Sequence, residues 1–197
     1  AAEDGVELAW DRLEAQQPQC GFGKLGLCCR VCHQGPCRVD PFGEGPQRGV
    51  CGADAETIIA RNFARMSAAG AAAHSDHGRD MALTLLAAAE GHAPNYELRD
   101  VRKLLSVAEY LDVPTKDREP IEIAKDVATK ALAQFGQQTG ELAYVQRAPK
   151  KRQEIWRHLG IMPRGIDREI VDVMHRTHIG NDQFYETLLM SAIRVSL

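Results

Sequence analysis

The stretch CGFGKLGLCCRVCHQGPCRVDPFGEGPQRGVC, residues 20–51, decides how the first part of this chain folds. It holds all six cysteines of the 197-residue sequence, two of them adjacent. These are Cys20, Cys28, Cys29, Cys32, Cys37 and Cys51. The stretch is also rich in glycine and proline, which interrupt helices and strands. Since so long a structureless segment is rare in a compact domain, we expect a metal centre to organise it.

Composition excludes several classes of function. The apolar fraction of 44% and the charged fraction of 26% are ordinary for a globular domain. A net charge of −3 gives no electrostatic basis for binding nucleic acid. No apolar run reaches the roughly 20 residues of a membrane span, and the first residues lack the pattern of a signal peptide. The sequence therefore predicts a cytoplasmic protein, with any attachment to the inner membrane face made through a partner.

Helical patterns dominate the rest of the chain. A first helix is predicted over residues 4–16, and Asp54 is a suitable N-cap for another over residues 55–73. The apolar residues expected on one side of the second helix are Ile58, Ile59, Phe63 and Met66. Further helices are predicted over residues 74–91, 95–114, 121–136, 150–160, 167–180 and 181–197, the last capped by Asn181.

No segment is a convincing strand, and abundant alanine predicts close packing between helices. The expected architecture is therefore all-α, a helical bundle with an N-terminal Cys/Gly-rich loop that binds an iron–sulfur cluster. Residues 1–53 would supply the first helix and the loop, residues 54–197 the bundle, and the two together one domain.

Four of the cysteines, Cys29, Cys32, Cys37 and Cys51, have the spacing C-x2-C-x4-C-x13-C. Disulfides belong mainly to secreted chains and are usually spread out, so this clustering favours metal binding. Gly35 and Pro36 suit a turn that brings the first three thiols together. Four thiolates suit zinc or an iron–sulfur cubane. Zinc sites more often contain two separated CxxC pairs, so the spacing favours a [4Fe–4S] cluster, with a zinc-stabilised structural or interaction domain as the alternative.

Two cysteines, Cys20 and Cys28, remain outside this set of four. In a twofold dimer each chain presents the same patch, so two thiols from each chain make a second set of four. A second cluster would then bridge the subunits. Free cysteines are also often simply buried, so the thiol count alone leaves both interpretations open.

The motif PQCGFGKLGLCCRVCHQGPCRVDPFGEGPQRGVCGADAETIIARN, residues 18–62, closely resembles the N-terminal motif of nickel–iron carbon monoxide dehydrogenases. The resemblance continues through AGAAAHSDHGRD and HRTHIGNDQFYETLL, residues 69–80 and 175–189. Enzymes of that family are homodimers that oxidise CO with water to CO2, two protons and two electrons. The resemblance implies that the set of four thiols, Cys29, Cys32, Cys37 and Cys51, binds a [4Fe–4S] B-cluster. It further implies that Cys20 and Cys28 bind a subunit-bridging D-cluster, [4Fe–4S] in preference to [2Fe–2S].

The resemblance also implies partners. The family's catalytic nickel–iron–sulfur C-cluster is bound by a histidine and several cysteines from later α/β domains, and this sequence has no cysteine after Cys51. The sequence also stops within an amphipathic pattern. We therefore expect the N-terminal domain of the enzyme without its catalytic ligands. Electrons would pass from the C-cluster through the B- and D-clusters to a ferredoxin-type acceptor.

Several histidines and arginines are further candidates for functional roles. His74 and His77 resemble the first two members of a histidine row thought to conduct protons in some members of the family, although surface or capping roles fit them as well. For His175 and His178, hydrogen bonding in the core or at an interface is favoured over a metal pair. His33, Arg30 and Arg38 lie in the cysteine loop and are candidates to tune a cluster by hydrogen bonding or charge.

Overall fold

The computed structural model describes residues 2–197, so residue 1 of the predicted N-terminal segment lies outside the described residues. The elements, in chain order, are α1 Ala9–Ala15, α2 Gly21–Lys24, β1 Cys28–Cys29, β2 Cys37–Arg38, α3 Ala55–Ala89, α4 Val101–Tyr110, α5 Pro120–Gly136, α6 Lys150–His158, α7 Ile166–Arg176 and α8 Tyr185–Ser196. Short 3-10 helices span Ala2–Asp4 and Ala143–Arg147. The predicted helical fold is confirmed. The expectation of no strand is wrong, since β1 and β2 form a short antiparallel ladder inside the cysteine loop.

Helix α3 is a single helix of 35 residues where the sequence predicts two. Its start is as predicted, because the Asp54 side chain accepts a hydrogen bond from the Thr57 backbone N–H at 2.9 Å. The start predicted at residue 74 is wrong, because the helix runs without interruption through this position, where the Ser75 hydroxyl donates to the carbonyl of Ala72 in the preceding turn. The helix ends before Gly91, whose φ of 77° favours glycine.

The buried face of α3 is built from small side chains. Ala64 and Ala68 are 0% and 1% exposed and pack against Val173 of α7 and against Ala192 and Val195 of α8. This confirms the close packing that alanine predicts. A second core lies between α4 and α5 and contains Leu104, Ala108, Leu111, Val113, Ile123, Ala124 and Val127.

The predicted apolar side of α3 is only partly correct. Ile58 is buried, but Ile59, Phe63 and Met66 are 43%, 50% and 67% exposed. These three residues are called the α3 apolar strip below. They point away from the face that carries Ala64 and Ala68, so the packing inside this chain leaves them uncovered.

Several helix boundaries differ from the prediction, since α4 begins at Val101 and not at residue 95, and α7 ends at Arg176 and not at residue 180. Helix α1 is shorter than the predicted helix over residues 4–16 and buries none of its residues. Helix α8 begins at Tyr185, and Asn181 does not cap it. The Asn181 side chain instead donates to the carbonyl of His175 at the end of α7, while Asp182 accepts from the Phe184 N–H. The turn before α8 is therefore stabilised by the Asp182 carboxylate and not by the Asn181 side chain.

A buried ionic network joins α7 to α8. Glu169 accepts hydrogen bonds from the backbone and side chain of Arg164 at 2.7 to 2.9 Å and lies 2.7 Å from Arg194 of α8. Burial is the largest influence on the pKa of Glu169 and by itself raises it. The hydrogen bonds from Arg164 and the charge of Arg194 outweigh burial, so the pKa lies below its ordinary value of 4.5.

We predict that Glu169→Gln lowers the free energy of unfolding by about 2 kcal/mol at neutral pH, because charge-assisted hydrogen bonds are lost. A carboxyl whose folded-state pKa is lowered stabilises the fold above its ordinary value of 4.5 and loses that contribution as the pH falls through the folded-state pKa. The difference between wild type and variant should therefore shrink at successively lower pH. Urea unfolding followed by circular dichroism measures it.

The matched control is Glu7→Gln. Glu7 pairs with Arg12 at 3.1 Å, but these side chains are 66% and 57% exposed. Exposed pairs contribute little, so this variant should unfold like wild type. An equal loss of stability in both variants would contradict the interpretation of the α7–α8 network.

Candidate metal centre

The ladder of β1 and β2 sorts the cysteines onto two faces. Its register pairs Cys28 with Arg38 and Cys29 with Cys37. Successive side chains of a strand point to opposite faces, so Cys29 and Cys37 share one face and Cys28 shares the other with Arg38. The adjacent cysteines of the sequence therefore face different sides of the loop.

Gly35 makes the tight approach within this loop possible. A Cβ atom at this position would lie 3.0 Å from the Cys37 backbone nitrogen and 3.1 Å from the Cys29 carbonyl oxygen. The Gly35 N–H also donates to the carbonyl of Cys32 at 3.3 Å. The predicted turn is thus present, and it brings Cys29, Cys32 and Cys37 to the wall of one pocket.

Four cysteines line one pocket beneath the loop, which is called the four-thiol pocket below. They are Cys29, Cys32, Cys37 and Cys51, and the other lining residues are Val31, Gly35, Gly49, Val50, Ala53, Ile58, Arg61 and Ile179. Most of the wall is apolar. Within residues 2–197, no group of three or more His, Cys, Asp or Glu side chains is arranged so that it could hold a metal ion. The four thiols share the pocket without forming a preassembled site for a single ion.

N–H donors point at sulfur in this pocket. The Val50 backbone N–H donates to Cys37 Sγ at 3.5 Å, and Arg61 Nη1 donates to Cys51 Sγ at 3.5 Å. Burial is the largest influence on the Cys51 thiol and by itself raises its pKa. Hydrogen bonds from the Ala53 backbone and from Arg61, with the charge of Arg61, outweigh burial, so the pKa lies below its ordinary value of 9.0. A set of four thiols with donors aimed at sulfur fits a group bound by thiolates.

Arg61 is the pocket residue that the sequence analysis missed. It lies on α3 and is only 1% exposed. Residue 61 falls on the same helical face as Thr57, Ala64 and Ala68, away from the apolar side predicted for α3, so the sequence pattern contains no signal that Arg61 is buried. The candidates named instead, His33, Arg30 and Arg38, are exposed and do not line the pocket.

The segment between α7 and α8, residues 177–184, holds the last cysteine in place. The Gln183 side chain donates to the Cys51 carbonyl at 3.2 Å, and the Gln183 backbone carbonyl accepts from the Thr57 hydroxyl at 2.9 Å. Arg61 Nη2 donates to the Asp182 carbonyl at 2.6 Å. The pocket is therefore closed by a segment more than 120 residues away in sequence.

Cys20 and Cys28 lie outside the four-thiol pocket. Cys20 is exposed at the start of α2, where the backbone N–H groups of Gly23 and Phe22 lower its pKa and the charge of Arg38 contributes further. Cys28 shares its ladder face with the same Arg38. Cys28 therefore lies on the face of the ladder that points away from the pocket, and Cys20 is close enough to Arg38 to be influenced by its charge.

The predicted histidine pairs lie away from the cysteines. His74 and His77 are exposed on α3, and His74 lines a groove formed with α5, α7 and α8. His175 and His178 are also exposed, so they are not core residues, and their hydrogen bonding at an interface stays a prediction. The proton relay stays a prediction. Separately, none of the helices within residues 2–197 is both long and apolar enough to cross a membrane.

Several known proteins are similar to this chain in sequence and in fold. The chain is 52% identical to carbon monoxide dehydrogenase 1 of Methanosarcina mazei and 50% identical to carbon monoxide dehydrogenase 1 of Carboxydothermus hydrogenoformans. Both matches cover 100% of this chain and 31% of the relative, so the chain spans about a third of their length.

Solved structures agree with these matches. A Ni-free crystal structure of carbon monoxide dehydrogenase from Thermococcus sp. AM4 has a TM-score of 0.94 at 52% identity, covering 99% of this chain and 31% of that chain. A structure of acetyl-CoA synthase/carbon monoxide dehydrogenase, described as containing NiZn[Fe4S4] and NiNi[Fe4S4] clusters, has a TM-score of 0.92 at 39% identity, covering 98% and 29%. A family model also matches residues 27–197, most of the described chain, and on that match the chain belongs to the Prismane/CO dehydrogenase family.

Proposed function

We propose that this chain is the electron-transfer and dimerisation domain of a carbon monoxide dehydrogenase, the enzyme that converts CO and water to CO2, two protons and two electrons. The observation that carries the proposal is the division of the six cysteines. Four line one pocket, Cys28 faces the other side of the β1–β2 ladder, and Cys20 lies exposed outside the pocket. Such a division is what two separate thiolate-bound centres require.

The four-thiol pocket is the proposed B-cluster site. A [4Fe–4S] cluster held there by Cys29, Cys32, Cys37 and Cys51 would supply reversible one-electron transfer. The apolar residues Val31, Ile58 and Ile179 line the pocket and limit the access of water. The N–H groups of Val50 and Arg61 point at sulfur, where they stabilise negative charge. These contacts suit a thiolate-bound electron carrier better than a purely structural metal site.

The remaining thiols are the proposed contact with a second copy of the chain. Cys20 and Cys28 from each copy would hold a bridging D-cluster, [4Fe–4S] in preference to [2Fe–2S], on a twofold axis. Ile59 of the α3 apolar strip lies next to this loop, since a Cβ atom on Gly26 would lie 3.5 Å from its side chain. Asn62 fixes the loop to α3 by donating to the carbonyls of Gly26 and Cys28 at 3.0 and 3.1 Å. A second copy would therefore cover both the thiols and exposed apolar surface.

The other parts of the proposed enzyme lie beyond the residues of this chain. The nickel–iron–sulfur C-cluster would be bound by other parts of the proposed enzyme, since this sequence has no cysteine after Cys51. His74 and His77, exposed on α3, are available to a proton relay toward those domains. A ferredoxin-type protein is the proposed final electron acceptor.

We predict about six irons and six sulfides per chain after anaerobic preparation, the sum of one cubane and half of a shared one. Iron, sulfide and zinc analysis, with light scattering on the same sample, measures both composition and the dimer. About one zinc per chain without sulfide would contradict the proposal and support a zinc-stabilised domain.

A double substitution tests the bridging site. We predict that Cys20→Ser with Cys28→Ser lowers the iron content to about four per chain and yields a monomer in light scattering. The matched control is Cys32→Ser with Cys37→Ser, which should lose the four irons of the pocket and remain a dimer. If the first variant keeps all its iron and remains dimeric, the assignment of Cys20 and Cys28 is wrong.

A further inference from the structure

Arg61 is the only arginine, lysine or carboxylate among the residues that line the four-thiol pocket. It is 1% exposed, which makes it one of the largest fully buried side chains of the described chain. Burying a guanidinium is costly unless the charge is paired and its N–H groups are bonded. The partners of this group therefore indicate what the buried charge is for.

Those partners do not include a carboxylate. Within residues 2–197, no ion pair between Arg61 and an Asp or Glu is found within 4.0 Å. Nη2 donates to the Asp182 carbonyl at 2.6 Å, and Nη1 donates to Cys51 Sγ at 3.5 Å. The N–H at Nε is buried and has no hydrogen-bond partner. The protein thus places an uncompensated positive charge beside the thiols.

The nearby arginine Arg65 shows that an arginine of α3 can bind the α7–α8 segment without contacting a cysteine sulfur. Arg65 lies one helical turn further along α3 and donates to the Thr177 hydroxyl at 3.0 Å. It contacts the same segment as Arg61 but does not line the four-thiol pocket. Arg61 therefore differs from Arg65 in its contact with sulfur.

We infer that Arg61 is a positioning residue that raises the reduction potential of the cluster in the four-thiol pocket, an inference that rests on the proposed function. Uptake of one electron from an external reductant adds one negative charge to a thiolate-bound centre, and no bond to the protein forms or breaks. A fixed positive charge and an N–H donor at Cys51 Sγ stabilise the more negative state. In a buried, apolar pocket this effect is stronger than that of exposed charges such as Arg30, which water screens.

The test is an anaerobic redox titration with dithionite, followed by electron paramagnetic resonance. It uses the Cys20→Ser, Cys28→Ser chain, in which only the four-thiol pocket is expected to be loaded. Arg61→Gln removes the charge but retains an amide that can donate to the Asp182 carbonyl. We expect its ratio of reduced to oxidised cluster at a fixed potential to fall by about tenfold, which for one electron corresponds to a potential about 59 mV lower.

Two further variants separate charge from structure. Arg61→Lys keeps the charge and should retain most of the wild-type potential, while Arg65→Gln should titrate like wild type. The inference is overturned if Arg61→Gln titrates like wild type, or if Arg65→Gln shifts as much. Iron and sulfide analysis of each sample separates the two proposals. A wild-type chain without sulfide defeats the proposed function, whereas loaded variants with equal potentials defeat only the role of Arg61.

Discussion

The packing of α3 is the constraint on which the rest of the structure depends. At 1.5 Å per residue its 35 residues extend about 50 Å. Its first turns, which begin after the Asp54 cap, pack against the cysteine loop. Further along, its small alanine side chains let α7 and α8 pack closely against it. Larger residues at Ala64 or Ala68 would push α8 away and with it the segment that closes the pocket. The loop thus has no rigid support of its own and relies on α3.

The sequence predicts the helices well and the buried face of α3 poorly. Asp54 and Pro120 mark helix starts because a capping carboxylate and a proline in the first turn act on their own neighbours in the chain, and such signals can be recognised in the sequence. Which side of an amphipathic helix is covered depends on its neighbours. Ile59 and Phe63 look like core residues but lie outside, whereas Arg61 looks like a surface residue and lies inside. Periodicity locates a face without showing what covers it.

The candidate site likewise has features that the sequence predicts and features that depend on tertiary packing. The cysteine spacing predicts a gathering of four thiols, because the turn at Gly35 is short and its geometry is encoded locally. The separation of Cys28 from Cys29 also follows from a local rule, the alternation of side chains along a strand. Arg61 and Gln183 reach the site only through tertiary packing, and no spacing within the cysteine motif indicates them.

Long-range closure gives the pocket a property that a short cysteine peptide lacks. Cys51 is held by Gln183 and Arg61, and Arg61 is held in turn by the carbonyl of Asp182. Closing a loop of more than 120 residues costs entropy, which the packing of α3 against α7 and α8 must offset. Once the bundle has formed, these contacts position donors toward the thiols before any group binds them. Preorganisation of this kind suits an electron carrier, since a site that moves little between its two charge states loses little energy to rearrangement. The helical bundle is thus a working part of the proposed centre.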